Sequence, residues 1–110
     1  MYKAEYCENK RTREIPVQEY IDALDQKYQK RIFSYINKLV EESGRLLFPL
    51  AEHIKDKIWQ LRPEPYRLFY FIFTGKRIIL LHIFRKKTSK TPRRELRKAL
   101  NNYDDFINNN

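Results

Sequence analysis

The chain has 110 residues, 42% of them hydrophobic and 15% aromatic, which suits one domain over residues 1–110 and excludes a disordered tail. Lys and Arg number 23 against 14 Asp and Glu, and the formal charge of +9 is unevenly spread: twelve cations but only Glu64 and Glu95 fall between Arg62 and Lys98, a local net of +10 that leaves −1 elsewhere. A cationic surface segregated in this way attracts phosphate chains or an acidic partner, whereas an even spread would serve solubility alone.

Residues Met1–Lys10 contain neither an apolar core segment nor a small-residue cleavage site, and no apolar stretch reaches the roughly 18 residues that span a bilayer. A cytoplasmic protein without membrane contact is expected. Tyr2 to Cys7 alternates loosely as a first strand, and Cys7, the only cysteine, has no partner for a disulfide. His53 and His82 are the only histidines and give no zinc spacing, so no metal or other cofactor is expected. Glu8 to Glu14 reads as a loop. Pro16 follows at a position where a helix starts without needing an N–H, and Val17, Tyr20, Ile21 and Leu24 recur at helical spacing. Asp25 is placed to cap a second helix, whose Ile32, Phe33, Ile36, Leu39 and Val40 form one apolar stripe before Gly44 stops it. His53, beside polar Glu52 and Lys55, falls in a loop or short helical turn.

From Lys57 the period changes to that of strands. Ile58 to Leu61, Tyr66 to Phe73 and Arg77 to Phe84 are rich in aromatic and branched residues; Arg62 to Pro65 separates the first two runs, and Thr74-Gly75-Lys76 supplies a hairpin turn. Runs that are apolar on both faces need cover on both. The two helices supply it on one, and the other is expected to remain a partly apolar cleft or partner site. After the basic stretch Arg85 to Lys90, Thr91 and Pro92 read as the N-cap and first position of a last helix, with Leu96, Ala99, Leu100 and Tyr103 on one face and Arg93, Arg94, Arg97 and Lys98 elsewhere.

The order strand, helix, helix, strand, hairpin, helix, together with Lys57-Ile58-Trp59-Gln60-Leu61-Arg62, Tyr66-Arg67-Leu68-Phe69-Tyr70-Phe71 and the run from Ile79 through His82, Lys86-Lys87 and Lys90-Thr91-Pro92 to Glu95, resembles the RelE-like toxins of bacterial toxin–antitoxin modules. The likeness is to the phage-derived Gp49-like, HigB-type branch of the RelE/ParE superfamily. It implies an α+β fold of RelE type: a small antiparallel-rich sheet covered on one face by the two N-terminal helices, with a basic C-terminal helix. It also implies a type II toxin that inhibits translation as a metal-independent mRNA endoribonuclease, working on ribosome-bound or free message. A helix-turn-helix antitoxin of HigA type would cover the basic cleft, and operator DNA would be reached only through that complex.

In that chemistry the ribose 2′-hydroxyl attacks the adjacent phosphorus, so a base, a charge stabiliser and an acid are needed. The resemblance assigns phosphorane stabilisation to Arg67, whose guanidinium fork matches phosphate oxygens, with Arg62 beside it or on a flanking phosphate. Lys86 stands near the position that serves the leaving group in relatives. Arg85, Lys87, Lys90, Arg93 and Arg94 extend a phosphate-binding track. His82 titrates near neutrality and is a candidate general acid or base, although a histidine inside an apolar strand is more often a hydrogen-bonded core residue. Ile58 and Gln60 stand where many relatives carry lysines. Tyr66, Tyr70 and Trp59 are candidates for base stacking or, by default, for core packing. Two rival readings remain open: a non-catalytic RNA-binding module, and a ParE-like inhibitor of DNA gyrase on the same fold.

Overall fold

The runs Tyr66–Phe73 and Arg77–Arg85 are apolar at nearly every position, so the pleat gives each strand two faces that must leave water. The computed structural model, which describes Met1–Asn110, meets that demand with helices on both sides of a mixed sheet. In chain order the elements are β1 (Lys3–Tyr6), α1 (Pro16–Asp22), α2 (Gln26–Glu41), β2 (Ala51–Lys55), β3 (Ile58–Leu61), β4 (Tyr66–Phe73), β5 (Arg77–Arg85) and α3 (Arg93–Asn108). The strands lie in the order β1-β5-β4-β3-β2, with β1 parallel to β5 and every other pairing antiparallel. The chain thus leaves one edge of the sheet, crosses a face as α1 and α2, and returns strand by strand from the far edge.

On the first face, Val17 and Ile21 of α1 and Ile32, Ile36 and Leu39 of α2 pack against Leu61, Leu68, Tyr70, Ile78, Leu80 and Ile83. Pro16 stands in the first turn of α1, where its missing N–H removes nothing from the helix ladder. Asp25 does occupy the cap position of α2, but its side chain makes no capping bond. The helix ends through Ser43 and Gly44, both at positive φ, and the Gly44 N–H returns to the Leu39 carbonyl at 2.8 Å. The Gly44 φ of +78° favours glycine there, and a Cβ would stand 2.7 Å from Cδ1 of Ile72 and push the end of that side chain aside. At the β4–β5 hairpin, Gly75 and Lys76 take positive φ to close the turn.

The second face is not left open. Phe69, Phe71, Ile79, Leu81 and Phe84 lie under α3, packed against Ala99 and Phe106. The expectation that this face remains a partly apolar cleft or partner site is therefore corrected: a hydrophobic surface of that size is covered by the chain's own last helix because leaving it in water would cost more than ordering the helix. Two smaller expectations also change. His53 lies in β2, an edge strand, not in a loop. Helix α3 begins at Arg93 with Pro92 extended before it, and the Thr91 hydroxyl reaches Gln60 at 3.4 Å instead of capping. Tyr66 and Tyr70 are buried in the first core, the packing role that was their default reading, so neither offers a face to a base.

Phe71 anchors the second core, meeting Tyr103 at 4.6 Å and Phe106 at 5.7 Å, both edge-on. Phe71→Ala should cost about 3–5 kcal/mol of unfolding free energy, the usual range for a large-to-small aromatic truncation. A urea titration reads this, and a loss under about 1 kcal/mol would mean that α3 is not docked on this face.

Candidate active site

The alternation of β5 is broken once. Phe69 pairs with His82 and Tyr70 with Leu80, so Leu81 is the extra residue of a bulge. Without it His82 would share a side with Leu80, in the first core; with it the imidazole turns to the α3 side and lies beside the Phe69 and Phe84 rings, 6.4 and 6.1 Å from their centres. There its Nε2 meets Oε1 of Glu95, in the first turn of α3, at 2.6 Å. Both side chains are nearly enclosed, 14% and 13% exposed, and no third His, Cys, Asp or Glu joins them as a metal-binding group would require.

Burial pushes the His82 imidazole below its ordinary value, outweighing the hydrogen bond and charge of Glu95, and the charge of Lys98 lowers it further. Burial also pushes Glu95 upward, but the hydrogen bond to His82 and the charges of His82, Lys98 and Arg94 together hold its carboxyl below the usual range. The pair at neutral pH is thus a neutral imidazole beside a carboxylate. Since a carboxylate only accepts, Nε2 carries the hydrogen and Nδ1 keeps the lone pair that can take a proton.

The pair lines a cleft of about 640 Å³ between the end of β5 and the start of α3. Arg85, Lys87, Arg94 and Lys98 also line it, with Tyr20 from α1 opposite and Thr88 and Pro92 from the β5–α3 loop. Four permanent or near-permanent cations around an uncharged base make a site that attracts an anion and can accept a proton from it. Arg94 adds a second contact to the Glu95 carboxylate at 3.6 Å. Of the expected phosphate track, Arg85, Lys87 and Arg94 line this cleft, whereas Lys90 and Arg93 are exposed outside it.

Arg62, Arg67 and Lys86 form a separate group around Glu64. Arg67 projects to the α3 side of β4 and is buried, its side chain 2% exposed; it donates to the Tyr66 carbonyl at 2.9 Å and to Glu64 Oε1 at 2.7 Å. Glu64 itself is 63% exposed. The Arg67 hydrogen bond, followed by the charges of Arg67, Lys86 and Arg62, holds its carboxyl below the usual range against the opposing effect of burial. Arg62 donates to the Pro49 carbonyl at 3.0 Å and lies 4.6 Å from the centre of the Phe48 ring, while its Nε has no partner. Lys86 is held by its backbone, whose N–H meets the Pro65 carbonyl at 2.8 Å. Of the three cations only Arg67 contacts Glu64, while Lys86 and Arg62 act on it through charge at longer range. The two groups are contiguous, because Lys86 lies between cleft residues Arg85 and Lys87, and Arg67 pairs in register with Phe84.

Glu95, Lys98 and Tyr20 were not singled out by the sequence, nor was Glu64. A signal for Glu95 did exist: Glu95, Ala99, Asn102 and Phe106 recur at helical spacing, and this stripe meets the sheet, with the Asn102 amide donating to the Leu81 carbonyl at 2.8 Å. A carboxylate opening such a stripe requires a buried partner.

A small α+β protein with three helices on a five-stranded sheet and a cationic cleft around a histidine–carboxylate pair is the class that fold and site define. The family model described as phage-derived protein Gp49-like (DUF891) matches residues 19–104, more than three quarters of the chain, and the chain belongs to this family of RelE-like toxins. Members are commonly the toxin of a toxin–antitoxin module, which implies an antitoxin partner. No curated protein matches the chain. No helix is long and apolar enough to cross a membrane.

The lowered His82 value gives a stability prediction. Above 6.5 the imidazole is neutral folded or unfolded and contributes nothing; below that value the unfolded chain takes up the proton more readily, so stability falls until pH passes the lowered folded value. The urea midpoint of the native chain should therefore drop on acidification from neutrality, and His82→Gln should flatten the drop above the carboxylate range. An equally steep profile in the variant would place the acid sensitivity elsewhere.

Proposed function

We propose that this chain is the HigB-type toxin of a type II toxin–antitoxin pair and an endoribonuclease that cuts messenger RNA on the ribosome. The observation that carries the reading is the enclosed neutral imidazole of His82, oriented by Glu95 and opening on a cleft rimmed by four cations. As the ribose 2′-oxygen attacks the adjacent phosphorus, Nδ1 of His82 takes the 2′ proton. Arg85, Arg94 and Lys87 face the charge that builds on the phosphorane oxygens. The P–O5′ bond then breaks, the leaving oxygen takes a proton from the Lys86 or Lys87 ammonium, and the products are a cyclic 2′,3′-phosphate and a free 5′-hydroxyl.

Arg67 enters this scheme by exchange. Its guanidinium is masked by one exposed carboxylate, and a phosphodiester replacing Glu64 would leave the local charge balance nearly unchanged while adding the contacts of Arg62 and Lys86. The antitoxin is inferred to be a helix-turn-helix protein of HigA type that covers the cleft and carries the complex to operator DNA.

Induced expression followed by mapping of message 5′ ends tests the reading. The native chain should produce cuts within translated messages, with free 5′-hydroxyl ends, and His82→Gln should lower the cleavage rate by about 10²–10⁴-fold with little change in RNA affinity. Glu95→Gln should also slow cleavage and move the acid limb of the pH–rate profile lower, since Glu95 supports the imidazolium. Arg67→Ala should abolish cutting. Tight RNA binding with no new ends would leave only a binding module, and intact messages with altered chromosomal supercoiling would favour gyrase.

A further inference from the structure

The outer surface of α2 near its N-terminus is cationic. Around the half-buried Tyr28 ring stand Lys27 Nζ, 4.9 Å from the ring centre, the Arg31 guanidinium at 5.8 Å and the Arg85 guanidinium at 6.0 Å. Arg85 is also 5.8 Å from the ring of Tyr66, which is buried and meets Tyr28 and Tyr20 edge-on at 5.4 and 6.0 Å. The tyrosines form a rigid aromatic base, and the cations rest on it. Beside these rings the Arg85 guanidinium is drawn to the Tyr66 and Tyr28 hydroxyls, which raise its pKa, and its fork of N–H donors leaves others for an anion. Lys27, Arg31 and Arg85 are exposed, and none makes a salt bridge. One N–H of Arg31 is used by the Glu64 carbonyl at 2.6 Å, which fixes the side chain and ties the patch to the Glu64 cluster.

The patch joins the cleft without a break, because Arg85 and Tyr20 belong to both. We propose that Lys27, Arg31 and Arg85 form a second, sequence-independent phosphate subsite for single-stranded RNA, holding the strand where it leaves the cleft over α2. The proposal rests on the RNA reading of the cleft. An acidic polypeptide would also feel these charges, but preorganised cations shared with a nuclease cleft favour one continuous backbone that passes over both.

The test measures binding of labelled 2′-O-methyl RNA, which cannot be cut, as a trinucleotide and as a dodecanucleotide over a range of salt. Two double variants are compared with the native chain: Lys27→Ala with Arg31→Ala on α2, and Lys87→Ala with Arg94→Ala in the cleft. Unchanged urea midpoints verify that these exposed substitutions leave the fold intact. The α2 variant should bind the dodecanucleotide about tenfold more weakly, lower the slope of log affinity against log salt by roughly 1.4, the single-strand value for two phosphates, and bind the trinucleotide as the native chain does. The cleft variant should weaken both ligands. Native-like dodecanucleotide binding by the α2 variant, beside a loss in the cleft variant, would overturn this subsite alone. Loss in the α2 variant with none in the cleft variant would overturn the cleft reading and the continuous path together. Equal competition by oligoglutamate, with the same dependence on Lys27 and Arg31, would assign the patch to an acidic polypeptide instead of RNA.

Discussion

The bond between His82 and Glu95 ties β5 to α3, and both the fold and the site depend on it. An imidazole only 14% exposed beside Phe69 and Phe84 has one nitrogen turned into the chain, and that nitrogen needs a partner there. Hydrogen bonds to a charged group contribute about 1.5–3 kcal/mol, and removing one member leaves the other desolvated and unpaired. The position of Glu95 is in turn set by where α3 lies. Ala99, fully buried one turn further on, lets the helix backbone approach the sheet, and Asn102 and Phe106 hold the same register along its length. The cleft is therefore a consequence of covering the second sheet face; a chain that failed to dock α3 would lose the carboxylate and the cleft wall together.

Much of this architecture was legible because its signals are strong and local. Pro16, Gly44 and Gly75 mark turns and helix ends, the stripe from Ile32 to Val40 has a clear period, and Tyr66–Phe73 is too apolar for anything but a central strand. Strand β2 gave no such signal, since Ala51–Lys55 alternates poorly and its Glu52, His53 and Lys55 point to solvent at a sheet edge. The bulge at Leu81 was hidden for the opposite reason: where both faces of β5 are apolar, a shift of one residue leaves the pattern unchanged. Large residues drew attention to Leu96, Leu100 and Tyr103 as the inner face of α3, yet they flank it. The centre holds Ala99, which the predicted face included, and Phe106, together with the polar Glu95 and Asn102, whose partners lie far away in sequence and which a periodicity of hydrophobicity does not register.

The charge excess was equally visible in total and invisible in arrangement. Between Arg62 and Lys98 the sequence offers only two carboxylates, and each stands near cations: Glu64 pairs with Arg67 and feels the charges of Lys86 and Arg62, and Glu95, bonded to His82, feels those of Lys98 and Arg94. Gathering like charges on one surface costs Coulomb energy, and one anion at the centre of each cluster offsets part of it. The two acids are organisers of the basic surface, although a count along the chain registers them only as subtractions from it.

Their surroundings separate their roles. Glu95 is enclosed and bonded to an imidazole, so it stays in place whatever enters the cleft; Glu64 is largely exposed and lies on a turn, so it can move away without opening the core. A phosphate arriving at the basic surface meets a fixed carboxylate that keeps a proton acceptor aligned and a movable one that keeps a buried arginine neutralised until an anion replaces it. On the proposed chemistry this division answers the apparent conflict between Arg67 as a phosphate ligand and Arg67 as a buried residue. A guanidinium preorganised by the Tyr66 carbonyl and masked by an exchangeable partner loses little ordering entropy on binding, whereas a free surface arginine would have to be ordered by the substrate itself.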